Sequence, residues 1–269
     1  MYENTAALGF DNNSAESVNQ HRVLSEMLDA HTTSALAGTG VGQGWRCWDI
    51  GAGGGSISRW LAARGAEVLA TDIKPQHVTG DFEIRQHNVR EDPIPVAEFD
   101  LIHARLVLMH LPEREAVLRA LTGALKPGGT LVLGEFLCPS DDLVRQAPDE
   151  RSARLVRKFN AAMRVLVTAA GCDWSWAARV PEAMREAGLE RVEVSEYRED
   201  VAGGSPAMLL NFTNSHQLGD QLVAVGEITQ DELTALRPLL LDPRLVARSY
   251  LLLTTVGRRP AAETLTPSA

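Results

Sequence analysis

Cysteine is scarce: Cys47, Cys138 and Cys172 stand far apart and form no C-x-x-C pair. That excludes a disulfide-built fold and a thiolate zinc framework, and it suits a reducing compartment. Lysine occurs only at Lys74, Lys126 and Lys158, and no basic run interrupts a chain of net charge −9. Tracking of nucleic acid and docking on an anionic membrane are therefore not expected. Aromatic residues make up 5% of the chain, and no stretch approaches the roughly 18 apolar residues of a membrane-spanning helix. The opening MYENTAALGFDNNSAE carries acid where a secretory signal carries base, and it lacks an apolar segment. A cytoplasmic location is the expectation.

What is present is an ordinary globular composition, with 45% hydrophobic and 23% charged residues over 269 positions. Asn13 and Glu16 form a capping-box pair for a helix whose Leu24, Met27 and Leu28 keep helical spacing to about Leu36. The glycine-rich 38–44 reads as a connector. From Trp45 onward short apolar strands alternate with helices. WRCWDIG, EVLATD (67–72), EIRQHNV (83–89) and FDLIHAR (99–105) read as strands, and a turn at Pro127-Gly128-Gly129 leads into TLVLGEF (130–136). SISRWLAARG and PEREAVLRALTGALK read as helices, the second with Val117, Leu118, Leu121 and Leu125 on one face. This alternation predicts an α/β fold with a mostly parallel sheet covered on both faces. Farther on, 140–178 and 205–240 read as helical inserts, 181–188 as a short helix, 191–199 as a strand and 245–259 as one final strand.

The segment that carries chemistry is Asp49-Ile50-Gly51-Ala52-Gly53-Gly54-Gly55-Ser56, at the end of the first sheet strand. Glycines in a strand-to-helix turn let backbone approach a ligand that any Cβ would block. Such turns open at the carboxyl edge of a doubly wound sheet, where ligands bind. A dinucleotide site wants G-x-G-x-x-G, but the third glycine would fall at position 56, which is Ser56. An acid two residues before the first glycine repels a pyrophosphate and suits a ligand bearing an ammonium group. Asp72 ends the second strand, where a carboxylate can accept hydrogen bonds from both hydroxyls of a ribose. An amine, a ribose and no phosphate fit this pair of acids.

These residues resemble the class I S-adenosylmethionine-dependent methyltransferases. Asp49 through Gly55 is similar to their first motif and Asp72 to their ribose-binding acid. FDLIHARLVLMHLP (99–112) and LKPGGTLVLGEF (125–136) resemble the fourth- and fifth-strand motifs. The resemblance implies a Rossmann-like, doubly wound seven-stranded sheet, with an N-terminal helical lid and linker over 1–44. The methyltransferase domain would then span 45–259, with a tail at 260–269. It also implies S-adenosyl-L-methionine as cofactor, S-adenosyl-L-homocysteine as product and a small-molecule methyl acceptor, on a monomer or homodimer. Cofactor contacts are implied at Asp49, Gly51, Ala52, Gly53, Gly55, Asp72, Ile73, Asn88 and Val89. Asn88 departs from the family's usual acid, but its amide oxygen still accepts a hydrogen bond.

Methyl transfer from a sulfonium needs alignment and exclusion of water, with a base only if the acceptor must lose a proton. His110 is the candidate base, with a pocket-wall or structural role as the alternatives. Arg105 is placed to hold a carboxylate of cofactor or substrate, or else to pair with Glu135. His103 reads as part of a packed strand face. Tyr2 and Phe10, in the lid, and Trp174 are candidate acceptor contacts. Two other readings stay open from sequence: a protein with this cofactor site that acts as a cyclase or regulator, and an NAD-dependent oxidoreductase.

Overall fold

Short runs that bury residues on both sides dictate the centre of the molecule. The structure, a computed structural model, describes residues 15–137 and 143–262. The chain enters on helix α1 (Ala15–Gly38) and crosses to strand β1 (Arg46–Ile50). It then alternates through α2 (Ser56–Ala62), β2 (Glu67–Asp72), β3 (Glu83–Gln86), β4 (Phe99–Arg105), α3 (Arg114–Ala124) and β5 (Leu125–Leu137). The second half continues through β6 (Val144–Gln146), α4 (Glu150–Ala169), α5 (Trp176–Glu186), β7 (Glu190–Tyr197) and β8 (Asp200–Ala202). Helices α6 (Pro206–Gln217), α7 (Gly219–Ala224) and α8 (Gln230–Leu239) precede strands β9 (Val246–Arg248) and β10 (Leu251–Arg258).

Seven strands form the main sheet in the order β3-β2-β1-β4-β5-β10-β7. β1 to β5 run parallel, and β10 runs antiparallel to both β5 and β7. Successive residues of the central strands feed opposite faces. Trp48, Ile102, Leu131 and Leu133 join the larger apolar core, while Cys47, Leu101 and Val132 join the smaller one under α2. This is the doubly wound, mostly parallel sheet expected from the alternation. The strand order reverses between β1 and β4, so the loops leaving those two strands diverge and open a crevice at the carboxyl edge.

Three readings of the second half needed correction. The apolar run 245–259 is not one strand. β9 joins β6 and β8 in a separate three-stranded antiparallel sheet, and only β10 enters the main one. Ala247, Tyr250 and Leu252 are buried on both sides of the break, so hydrophobicity does not mark it. α5 begins at Trp176 rather than Pro181, and Pro181 sits inside it. Burial of Trp176, Ala177, Val180 and Met184 along one face outweighs the backbone bond that proline removes. The stretch 205–240 is three helices, the last started by a capping box between Thr229 and Glu232. The first capping pair, Asn13 and Glu16, and the residues Tyr2 and Phe10 lie outside the described side chains.

Candidate functional site

The crevice between the β1 and β4 loops is a cavity of about 450 Å³. Its floor is the bend after β1. Gly51, Gly53 and Gly55 hold positive φ of 64°, 55° and 73°, which any other residue adopts only at a cost. The Ala52 amide donates to the Thr71 carbonyl at 3.0 Å, tying the bend to the end of β2. The clearance left by the glycines is used by protein neighbours. A Cβ on Gly51 would lie 2.4 Å from Val107 Cγ2, and one on Gly53 would lie 3.3 Å from the His21 ring.

Asp72, 6% exposed, locks this geometry from the next strand. Its Oδ2 accepts from the Gly53 amide at 3.1 Å and its Oδ1 from the Lys74 amide at 2.9 Å. Each oxygen keeps a lone pair for a ligand. Ile73 stands beside it with 54% exposure at the cavity wall, an apolar surface open to cover. Across the mouth lie Asn88, whose Oδ1 accepts from the Arg90 amide at 3.2 Å, and the buried Val89.

Asp49 faces the cavity from β1, and protein groups engage both of its oxygens. His103 Nδ1 lies 2.7 Å from Oδ1, and the Ser58 hydroxyl donates to Oδ2. The pairing follows from register, because Asp49 and His103 are partners across β1 and β4 and so share a sheet face. His103 is thus buried on a strand, as expected, but it also borders the cavity.

Arg105 does not pair with Glu135. Its guanidinium donates to Asp29 Oδ1 and Thr32 Oγ1, each at 2.9 Å, and ties the end of β4 to α1. Glu135 instead turns under the β4 loop and accepts from the Leu108 and Met109 amides at 2.9 and 3.3 Å. Complete burial raises its carboxyl pKa to about 8 against the pull of those amides. The loop it holds ends in a single helical turn, Leu108–His110. His110 therefore borders the cavity on a braced segment. Desolvation, helped by the nearby Arg114 charge, lowers its pKa to about 4, so the ring is neutral at neutral pH.

Beyond the bend the cavity wall becomes aromatic and aliphatic. Phe136 and Trp174 stack on Tyr250, with ring centroids 5.0 and 6.3 Å away. Met163, Val167 and Leu210 complete that side, and Gln20 donates to Asn214 at 3.1 Å along its edge. Trp174 Nε1 is buried with no hydrogen-bond partner among the described residues. The structure thus brings together the described candidates of the glycine bend, Asp72, Ile73, Asn88, Val89, Arg105, His110 and Trp174 on one cavity. Gly55 is the exception: it lies at the start of α2, outside the lining. Sequence reasoning missed His21, Asn214 and Tyr250. α1 and α6 carry hydrophobic residues broadly enough that no single face marks the site.

A nucleoside with a cationic amino-acid tail fits this donor set. Asp72 offers acceptor oxygens at one end of the bend, His103 Nε2 at the other is buried without a partner among the described residues, and Ile73 is exposed beside Asp72. Comparison with known proteins finds methyltransferases. A methyltransferase domain family model matches residues 48–133. Methyltransferase str3 of Strobilurus tenacellus is 33% identical over 123 residues, which span 44% of this chain and 43% of that protein. The ubiquinone/menaquinone biosynthesis C-methyltransferase of Shewanella frigidimarina is 25% identical over 183 residues, 59% of this chain and 71% of that one. Among solved structures, phosphoethanolamine N-methyltransferase 2 of Haemonchus contortus has been seen with phosphomonomethylethanolamine and S-adenosylhomocysteine. It superposes with a TM-score of 0.57 at 15% identity, covering 93% of this chain and 59% of that one, a likeness of fold. Residues 48–133 thus match a methyltransferase domain, set in a fold that a solved methyltransferase shares.

Proposed function

We propose that this protein methylates a small, flat, largely apolar acceptor, on an ionisable hydroxyl or on a carbon conjugated to one. The observation that carries this reading is the Phe136–Tyr250–Trp174 stack, which lines the same cavity as His110. Among the described residues, the only carboxylates lining the cavity are Asp49 and Asp72. An amine acceptor would be expected to meet an acid at the reacting end, and none of the described residues supplies one beyond Asp49 and Asp72. The Shewanella relative, named for carbon methylation in quinone biosynthesis, supports the same class of acceptor.

When bound, S-adenosylmethionine supplies an already activated methyl group, so the protein's work is alignment and dryness. In this reading Asp72 holds the ribose, and Ile73, Asn88 and Val89 frame the adenine. Gly51, Ala52 and Gly53 carry the tail along the bend, while Gly55 fixes the start of α2. α1 forms the lid, fastened through Arg105 to Asp29 and through Gln20 to Asn214. The Phe136–Tyr250–Trp174 stack gives the acceptor an apolar wall, with Trp174 Nε1 placed to donate to one of its oxygens. His110 Nδ1 or Nε2 takes the proton that the acceptor hydroxyl gives up. We further propose a cytoplasmic protein acting in biosynthesis; no described helix is long and apolar enough to cross a membrane.

The test is transfer of labelled methyl to a panel of phenols, hydroxyquinones, amines and carboxylic acids. Phenolic or quinol acceptors should be labelled and amines should not. His110→Ala is expected to lower kcat about a hundredfold or more while cofactor affinity stays unchanged. The wild-type activity should keep its basic partner down to about pH 4, where His110 gains its proton. Transfer to amines alone, or a fully active His110→Ala, contradicts the assignment. Tight cofactor binding with no transfer to any acceptor points to the cyclase or regulator reading.

A further inference from the structure

Asp49, His103 and Ser58 form a buried polar chain that the proposed methyl transfer does not use. Asp49 is 2% exposed and His103 also 2%. An ionised carboxylate only accepts hydrogen bonds, so the 2.7 Å contact to Asp49 Oδ1 places a proton on His103 Nδ1. In the neutral ring Nε2 then presents a lone pair. That nitrogen is buried and has no partner among the described residues, although buried polar atoms are ordinarily paired. His103 also borders the cavity, next to the bend over Gly51 and Gly53. The remaining Asp49 oxygen is taken by the Ser58 hydroxyl, so protein groups engage both carboxylate oxygens but leave the imidazole Nε2 unpaired among the described residues.

We infer that His103 binds the cofactor's ammonium group, accepting one of its N–H bonds at Nε2, while Asp49 and Ser58 hold the ring in the required tautomer and orientation. The negative charge of Asp49 reaches the ammonium through the imidazole, and the otherwise orphaned nitrogen gains its partner. This inference rests on the assignment of the cavity to S-adenosylmethionine. It changes the part played by the first-motif acid, which becomes a positioning residue behind His103.

The experiment is calorimetric titration with two nucleosides, S-adenosylhomocysteine and 5′-methylthioadenosine, the second lacking the amino-acid tail. His103→Phe keeps the ring's bulk and removes its nitrogens. It should weaken S-adenosylhomocysteine about tenfold or more and leave methylthioadenosine within about twofold of the wild type. In the wild-type protein, ¹⁵N NMR of the histidines should show His103 protonated at Nδ1. Its Nε2 resonance should shift on adding S-adenosylhomocysteine and stay in place with methylthioadenosine. The NMR arm stands even if His103→Phe fails to fold. Equal losses for both nucleosides, no loss for either, a doubly protonated ring, or an Nε2 resonance indifferent to the tail each overturn the inference. A wild-type protein that binds neither nucleoside overturns the cofactor site as well, which separates the two failures.

Discussion

Asp72→Ala is expected to weaken S-adenosylhomocysteine by about ten- to a hundredfold, the worth of charge-assisted hydrogen bonds at a shielded site. Two effects add. The substitution removes the acceptor oxygens proposed for the ribose hydroxyls, and it releases the Gly53 amide, which Asp72 Oδ2 holds at 3.1 Å. The bend and the ribose contact therefore fail together. Asp72→Asn offers a discriminating partner. Its amide can keep one acceptor oxygen toward Gly53 but loses the charge, so its affinity should fall between those of the wild type and the alanine variant. Calorimetry with circular dichroism as a control for folding reads both. Unchanged affinity in Asp72→Ala would remove this carboxylate from the cofactor site.

The second large effect concerns stability. Gly51 holds φ of 64°, and a Cβ there would stand 2.4 Å from Val107 Cγ2. A left-handed conformation costs a residue with a Cβ about 1–2 kcal/mol, and overpacking against a fixed neighbour costs about 1–3 kcal/mol. Gly51→Ala should therefore lower unfolding stability by about 2–5 kcal/mol. Val107 sits on the loop that Glu135 braces, so it has little room to yield. Gly40 supplies the control: its φ is 84°, but none of the described residues lies within 4 Å of its would-be Cβ. Gly40→Ala should cost only the backbone part, about 1–2 kcal/mol. Urea unfolding midpoints compare the two, and equal costs would mean that Val107 gives way freely.

These expectations rest on features unequally visible in the amino-acid sequence. β2 and β4 were legible to the residue, because each is a short apolar run stopped by a turn or a charged end. The glycine bend and Asp72 were legible for the same local reason, since a strand end, its turn and the next strand end lie within a few dozen residues. The break between β9 and β10 was not, because apolar residues continue through it and only pairing with β6 and β8 separates the strands. The start of α5 was hidden because a proline rule competed with a buried face and lost. Most of the cavity's far wall also escaped. Gln20 meets Asn214 across 194 positions, and Tyr250 meets Trp174 and Phe136 only once the sheet is assembled. Arg105 shows the limit most plainly. Its place at the end of a strand was readable, but its choice of Asp29 over Glu135 depends on how α1 lies across the edge.

A crystal structure of the protein with S-adenosylhomocysteine tests the central claim most directly. In that complex the ribose hydroxyls should lie on the Asp72 carboxylate, the tail should cross Gly51 and Gly53, and the sulfur should face the chamber of His110 and Trp174. A nucleoside lodged away from the bend, or bound there with Asp72 out of hydrogen-bond reach, would contradict it.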